Sequence, residues 1–188
     1  MLNVLTIHAS PCRDRNSDTM LSRYVDALAQ SATIQETPLY VSELTITPCT
    51  ACDACRENGV CPIDDDMGSV IQMLMEADIV VVATPVYFCS VPAALKCLID
   101  RCQPLYYRKY LHNTVMKKKK GVLLACCENE INDPFTGVEK PIEAFFFSLH
   151  AEFVDRVYGV LEGTPIASLP DVCDQLKTHG LALGSTFL

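Results

Sequence analysis

The stretch Asp78-Ile79-Val80-Val81-Val82-Ala83-Thr84-Pro85-Val86-Tyr87-Phe88 decides the fold. Residues 78–84 read as a strand that is apolar on both faces, the mark of a central strand in a parallel sheet. Pro85 forces Thr84 to be extended, so the strand stops cleanly. A helix is expected on either side. Residues 67–76 form one, with Asp64, Asp65 and Asp66 at its positive end. That reading of the three carboxylates is preferred to a metal site. Pro92 opens the other, which runs to about Gln103.

The same alternation extends to both ends of the chain. Residues 2–7 read as a strand and 18–31 as a helix, with Ser17 or Asp18 as N-cap and apolar residues at Met20, Leu21, Tyr24, Val25 and Leu28. Residues 34–41 form a second strand, which Pro38 places at a sheet edge. Further on, 121–126 and 153–160 read as strands and 138–150 as a helix. A last helix covers 169–179, with Gly180 as its C-cap. Five β-α units imply an α/β fold, a parallel sheet with helices on both faces. Ligands of such sheets bind beyond the carboxyl ends of the strands. That nominates three loops, 9–19, 84–91 and 125–131. A cysteine-rich insert at about 48–63 follows the second strand and is expected at the same edge.

At 188 residues the chain is read as one domain, 1–188. Lys and Arg number 15 against 23 Asp and Glu, a net charge of −8 that argues against nucleic-acid binding. The run Lys117-Lys118-Lys119-Lys120 reads as a solvated loop before a buried strand. Residues 1–8 are too short and too little charged for a signal peptide, and no apolar run reaches membrane length. A cytoplasmic location is therefore expected. Eleven cysteines in such a chain point to metal, redox chemistry or buried thiols rather than a disulfide scaffold.

Four of them, Cys49, Cys52, Cys55 and Cys61, read C-x2-C-x2-C-x5-C and are followed by Pro62. A zinc ion or a cubane iron–sulfur cluster satisfies such a set, since either takes soft thiolate ligands. Three cysteines at consecutive x2 spacing before a Cys-Pro come close to the bacterial ferredoxin pattern. Zinc more often uses two separated C-x2-C knuckles. The first loop carries Ser10, Arg13, Asn16, Ser17, Asp18 and Thr19, but neither G-x-G-x-x-G nor G-K-[ST]. Hydroxyls, an amide, arginines and free N–H groups at a helix start suit a terminal phosphate, or an ordinary capped turn. The second loop carries Pro85, Val86, Tyr87, Phe88 and Ser90, with aromatics where a planar ligand would lie.

Taken together, these loops resemble the flavodoxin-like NAD(P)H-dependent FMN reductase family, and within it the iron–sulfur flavoproteins. The resemblance rests on Ser10-Pro-x-Arg13-x-x-Asn16-Ser17-x-Thr19, the cysteine motif running into Met67, Ala83-Thr-Pro-Val-Tyr87-Phe88, and Pro92-Ala-x-Leu95-Lys96-x-x-Ile99-Asp100-Arg101. It implies strand order 2-1-3-4-5. It implies an FMN phosphate at Ser10, Arg13, Asn16, Ser17, Asp18 and Thr19. The isoalloxazine ring is expected on Pro85, Val86, Tyr87, Phe88 and Ser90, bordered by Cys126, Cys127 and Glu128. Cys49, Cys52, Cys55 and Cys61 become ligands of a 4Fe–4S cluster. NAD(P)H or a ferredoxin-like protein is the implied donor, and a homodimer or homotetramer the implied assembly, with a phenylalanine of Phe145-Phe146-Phe147 meeting a partner subunit.

Three features depart from the family pattern. Ala9, preceded by His8, stands where a glycine is usual, Cys12 sits inside the loop, and the lysine run and Tyr106-Tyr107-Arg108-Lys109-Tyr110 have no counterpart. Two other readings stand beside this one. One is a cluster-free NAD(P)H-dependent FMN or quinone reductase with a zinc or thiol loop. The other is a zinc-stapled binding module without catalysis.

Overall fold

A computed structural model describes residues 1–129 and 133–187. Part of the third nominated loop, including Ile131, lies outside the described residues. Five parallel strands form one sheet in the order β2-β1-β3-β4-β5, the flavodoxin-like arrangement. They are β1 (Leu2–His8), β2 (Ile34–Tyr40), β3 (Ile79–Pro85), β4 (Lys119–Cys127) and β5 (Ala151–Val160). The run that decided the fold is indeed central: β3 pairs with β1 on one side and β4 on the other. Pro38 sits on the edge strand, opposite Thr6.

Strand alternation divides the core into two layers. Leu5, Ile7, Val80, Val82, Leu123 and Ala125 pack beneath α3 (Met67–Glu76), α4 (Ala93–Asp100), α5 (Gln103–Tyr110) and α6 (Thr136–Leu149). Val4, Ile79, Val81, Ala83, Val122 and Leu124 pack beneath α1 (Asn16–Ser31) and α7 (Pro170–Ser185). The period of two along each strand produces this directly.

Several boundaries differ from the sequence reading. The helix α1 begins at Asn16, two residues early, and Arg15 at its N-cap makes no side-chain capping bond. The Asp18 carboxylate serves the preceding loop instead, accepting from Asp14 N at 2.7 Å and lying 2.8 Å from His8 Nδ1. The helix after Pro92 is two helices. It breaks at Arg101 and Cys102, and Pro104 sits in the first turn of α5. A short helix, α2 (Ala54–Asn58), lies inside the cysteine loop. The lysine run is not wholly solvated: Lys119 opens β4, is buried, and its Nζ donates to the carbonyls of Met75 and Lys117.

Gly180 is not a C-cap. It lies within α7, buried where that helix crosses α1. A Cβ there would stand 2.5 Å from the Tyr24 carbonyl oxygen, so glycine sets the helix separation. Gly180→Ala is expected to destabilise the chain in urea denaturation. Overpacking costs about 1–3 kcal/mol, more than the helix-propensity gain of under about 1 kcal/mol.

Candidate functional site

The topology brings the first two nominated loops out side by side. The chain leaves β1 for β2 on one side and returns to β3 on the other, a switch point in strand order. His8 pairs with Ala83 at the ends of β1 and β3, and Ala9 N donates to Ala83 O at 3.0 Å. Val86 N donates to Cys126 O at 2.8 Å, joining the second loop to the end of β4.

The first loop is a tight turn built on Ser10. Its hydroxyl accepts from Cys12 N at 3.1 Å and lies 2.9 Å from Cys12 O. Ser17 is buried, whereas Arg13 is exposed. The first N–H groups of a helix have no partner within it, and no side chain caps α1. The remaining polar groups are partly engaged elsewhere. Arg13 donates to Glu43 and lies 3.7 Å from the centre of the Tyr40 ring. Asn16 Oδ1 accepts from Ile166 N at 3.0 Å, and Thr19 Oγ1 donates to Arg15 O at 3.2 Å. The departure at His8 has a structural use: its ring stacks on Tyr40, with centroids 4.2 Å apart, and meets Asp18.

The second loop is a four-residue turn closed by Tyr87 N to Ser90 O at 2.9 Å and Ser90 N to Tyr87 O at 3.0 Å. Both central residues, Phe88 and Cys89, have positive φ, 49° and 56°. That is costly for side chains with a Cβ, and such strain gathers at functional sites. The Phe88 side chain is fully exposed, and Tyr87 nearly half so. Gly137, in the first turn of α6, lets this turn close in: a Cβ there would stand 1.7 Å from Cys89 O.

Cys126 and Cys127 close the third side in an unexpected way. Both are buried, and they belong to opposite core layers, Cys126 under α1 and Cys127 under α6. Burial pushes the Cys126 thiol up to about 12, so it stays neutral. Here the main chain of Cys126 and Cys127 accepts from Val86 N and Leu161 N, and the Glu128 carboxylate accepts from Gly163 N at 2.7 Å.

The cysteine loop starts beyond β2 and then packs against α4 and α5. Arg108 Nε donates to Gly59 O at 2.7 Å, and His112 Nε2 lies 3.0 Å from Arg56 O. Cys49, Cys52, Cys55 and Cys61 line one cavity of about 240 Å³ with Asp100, Arg101, Pro104 and Tyr107 on its far wall. Among the described residues, none of those lining that cavity comes from the three loops at the sheet edge. Among the described residues, no three His, Cys, Asp or Glu side chains are grouped to hold one metal ion. Ala51 and Asp53 have positive φ, 52° and 59°, on either side of Cys52. Alternation of this kind turns successive N–H groups toward one point, an anion-holding arrangement found at iron–sulfur sites.

Arg101, which spacing alone did not single out as a site residue, stands at the centre of this region. It is 1% exposed. Its Nη1 donates to Thr47 O at 2.6 Å and Asp65 Oδ2 at 2.7 Å, and its Nη2 to Asp65 Oδ1 at 3.0 Å. Asp65 also accepts from Thr47 N at 2.9 Å and Met67 N at 3.1 Å. The helix-start reading of Asp65 thus holds, but its larger role is to fasten both ends of the cysteine loop to α4. The Arg101 guanidinium holds the Asp65 carboxyl down to about 2. A depressed carboxyl contributes stability above its unfolded value near pH 4 and loses it as pH falls toward 2. Acid unfolding is expected to steepen in that window by roughly 2 kcal/mol, and Asp65→Asn removes the step.

Residues 2–130 match the family described as NADPH-dependent FMN reductase. The chain belongs to that family. This FMN reductase-family chain is 33% identical over 114 residues to iron-sulfur flavoprotein MJ1083 of Methanocaldococcus jannaschii, covering 61% of the chain and 58% of that protein. It is likewise 33% identical over 124 residues to an iron-sulfur flavoprotein of Methanosarcina thermophila, covering 66% and 62%. The matched part is thus about three fifths of each relative's length. In fold it is similar to an FMN-dependent NADH-azoreductase from Bacillus anthracis str. Ames Ancestor, solved in complex with FMN. The TM-score is 0.69 at 14% identity, over 98% of this family member and 99% of that chain. Among the described residues, no helix is long and apolar enough to cross a membrane.

Proposed function

We propose that this chain is a redox flavoprotein of the iron–sulfur type. It carries electrons between NAD(P)H, or a ferredoxin-like donor, and an acceptor through FMN and a 4Fe–4S cluster. The observation that carries the reading is the four-cysteine cavity, placed on a chain of the FMN reductase family. When bound, FMN handles two electrons and the cluster one at a time.

The chain's own residues fit both groups. At the phosphate end, the uncapped N–H groups of Asn16, Ser17 and Asp18 supply donors and the positive end of a 16-residue helix. Ser10 and Thr19 add hydroxyls, and Arg13 adds its charge on leaving Glu43. At the ring, Pro85, Val86, Tyr87, Phe88 and Ser90 orient the flavin, with the exposed Tyr87 and Phe88 side chains available to it. No side chain is assigned as acid, base or nucleophile, in keeping with the neutral Cys126 thiol. At the cluster, Cys49, Cys52, Cys55 and Cys61 are the ligands. All four line one cavity, and their spacing before Pro62 is nearer the ferredoxin pattern than paired zinc knuckles.

The reading extends to partners. Phe145 and Phe146 are buried in the chain's own core, whereas Phe147 is exposed and stacks on Tyr110, itself beside Tyr106. This aromatic surface is assigned to a second subunit, in a homodimer or homotetramer. The acidic chain acts in the cytoplasm and meets a basic protein partner or a small-molecule acceptor, not nucleic acid.

The test is the cofactor content of protein purified without oxygen. The expected result is flavin with about four irons and about four labile sulfides per chain. Flavin with zinc and no sulfide converts the chain to a two-electron FMN or quinone reductase. A colourless chain that takes up no FMN overturns the flavoprotein reading.

A further inference from the structure

We infer that Arg101 donates its Nε–H to a sulfur at the Cys61 corner of the cluster, and so makes the cluster easier to reduce. The inference rests on the iron–sulfur reading above.

Three observations carry it. Arg101 is 1% exposed, and its Nε is a buried side-chain atom without a hydrogen-bond partner. Its other edge is committed, with both Nη atoms held by Asp65 and Thr47 O. The Asp65 carboxylate already accepts from four donors, so it has no place for Nε. Arg101 lines the cysteine cavity together with all four thiols. Cys61 lines the same cavity, and its charge acts on the guanidinium.

A buried N–H without an acceptor is costly, and a guanidinium donor is costlier. A sulfur of the cluster supplies the acceptor. One electron entering the cluster adds one negative charge beside this donor; no bond in the chain forms or breaks and no proton moves. Hydrogen bonds to the sulfurs and nearby charge set such potentials. Lysine in place of Arg101 keeps the charge against Asp65 but has no planar fork, so it cannot hold that pair and serve the sulfur as well.

The experiment is an equilibrium reductive titration with dithionite, which supplies the electrons and is oxidised to sulfite, on wild type, Arg101→Lys and Asp65→Asn. Reduced cluster is read by electron paramagnetic resonance and the flavin by absorption. At the wild-type midpoint, Arg101→Lys is expected to lower the ratio of reduced to oxidised cluster about tenfold, which is 59 mV for one electron. Asp65→Asn removes the counter-charge, keeps Nε, and shifts the ratio the opposite way. The flavin midpoint stays in place in both. Cluster ratios that stay within about twofold of wild type, or that shift in the same direction in both variants, overturn the role of Arg101 alone. A wild type without iron and sulfide overturns the parent reading as well. If Arg101→Lys does not fold, Asp65→Asn decides by itself: a raised cluster midpoint supports the inference, and an unmoved or lowered one overturns it.

Discussion

Arg101→Met lowers the unfolding free energy of the metal-free chain by about 3–5 kcal/mol, the range for breaking a buried ion pair by removing one partner. The Asp65 side chain is 5% exposed and the Arg101 side chain 1%, so water screens neither well. Without the guanidinium, Asp65 keeps only its two main-chain donors and an uncompensated charge. Thr47 O loses a donor at the same time. Methionine fills much of the volume, so the loss reports charge and hydrogen bonding more than a cavity. Urea denaturation of the apo chain at pH 7 measures it. The double variant Arg101→Met, Asp65→Leu, which removes both charges, is expected to recover most of the loss. A single variant within about 1 kcal/mol of wild type contradicts the fastening role given to this pair.

Gly137→Ala is expected to weaken FMN binding at least about tenfold, which is 1.4 kcal/mol. The effect is indirect, since Gly137 belongs to α6 and not to a ligand loop. A methyl group there meets Cys89 O at 1.7 Å, inside any allowed contact, and the obstacle is main chain. The turn from Tyr87 to Ser90 must then move outward, against the two hydrogen bonds that close it. The Tyr87 and Phe88 side chains carried by that turn move with it. Gly68→Ala is the control, because nothing lies within 4 Å of the added Cβ. Flavin fluorescence quenching measures both. Equal affinities in the two variants contradict the assignment of that turn to the flavin.

Much of the fold was legible because it rests on local rules. A strand apolar on both faces must be central, and residues 79–85 are. Pro38 must lie at an edge, and it does. What the sequence concealed was decided by distant partners. Nothing in a Tyr-rich stretch with Pro104 announces α5, whose Arg108 finds Gly59 O and the Met75 sulfur through the fold. Gly180 has the signature of a helix end, and only the approach of α1 explains it inside a helix. Cys126 and Cys127 are neighbours in the sequence, yet alternation along β4 separates them into different layers. The four-cysteine spacing was the clearest site signal. The residue that closes that site from behind, Arg101, sits 40 positions after Cys61 in the sequence, and no spacing rule reaches that far.

The account stands on one chain holding both a flavin and a one-electron cluster. The direct test is an anoxic reductive titration that counts electrons per flavin. The expected count is about three, two for the flavin and one for the cluster. A count of about two, with the cysteines reacting as free thiols, contradicts it.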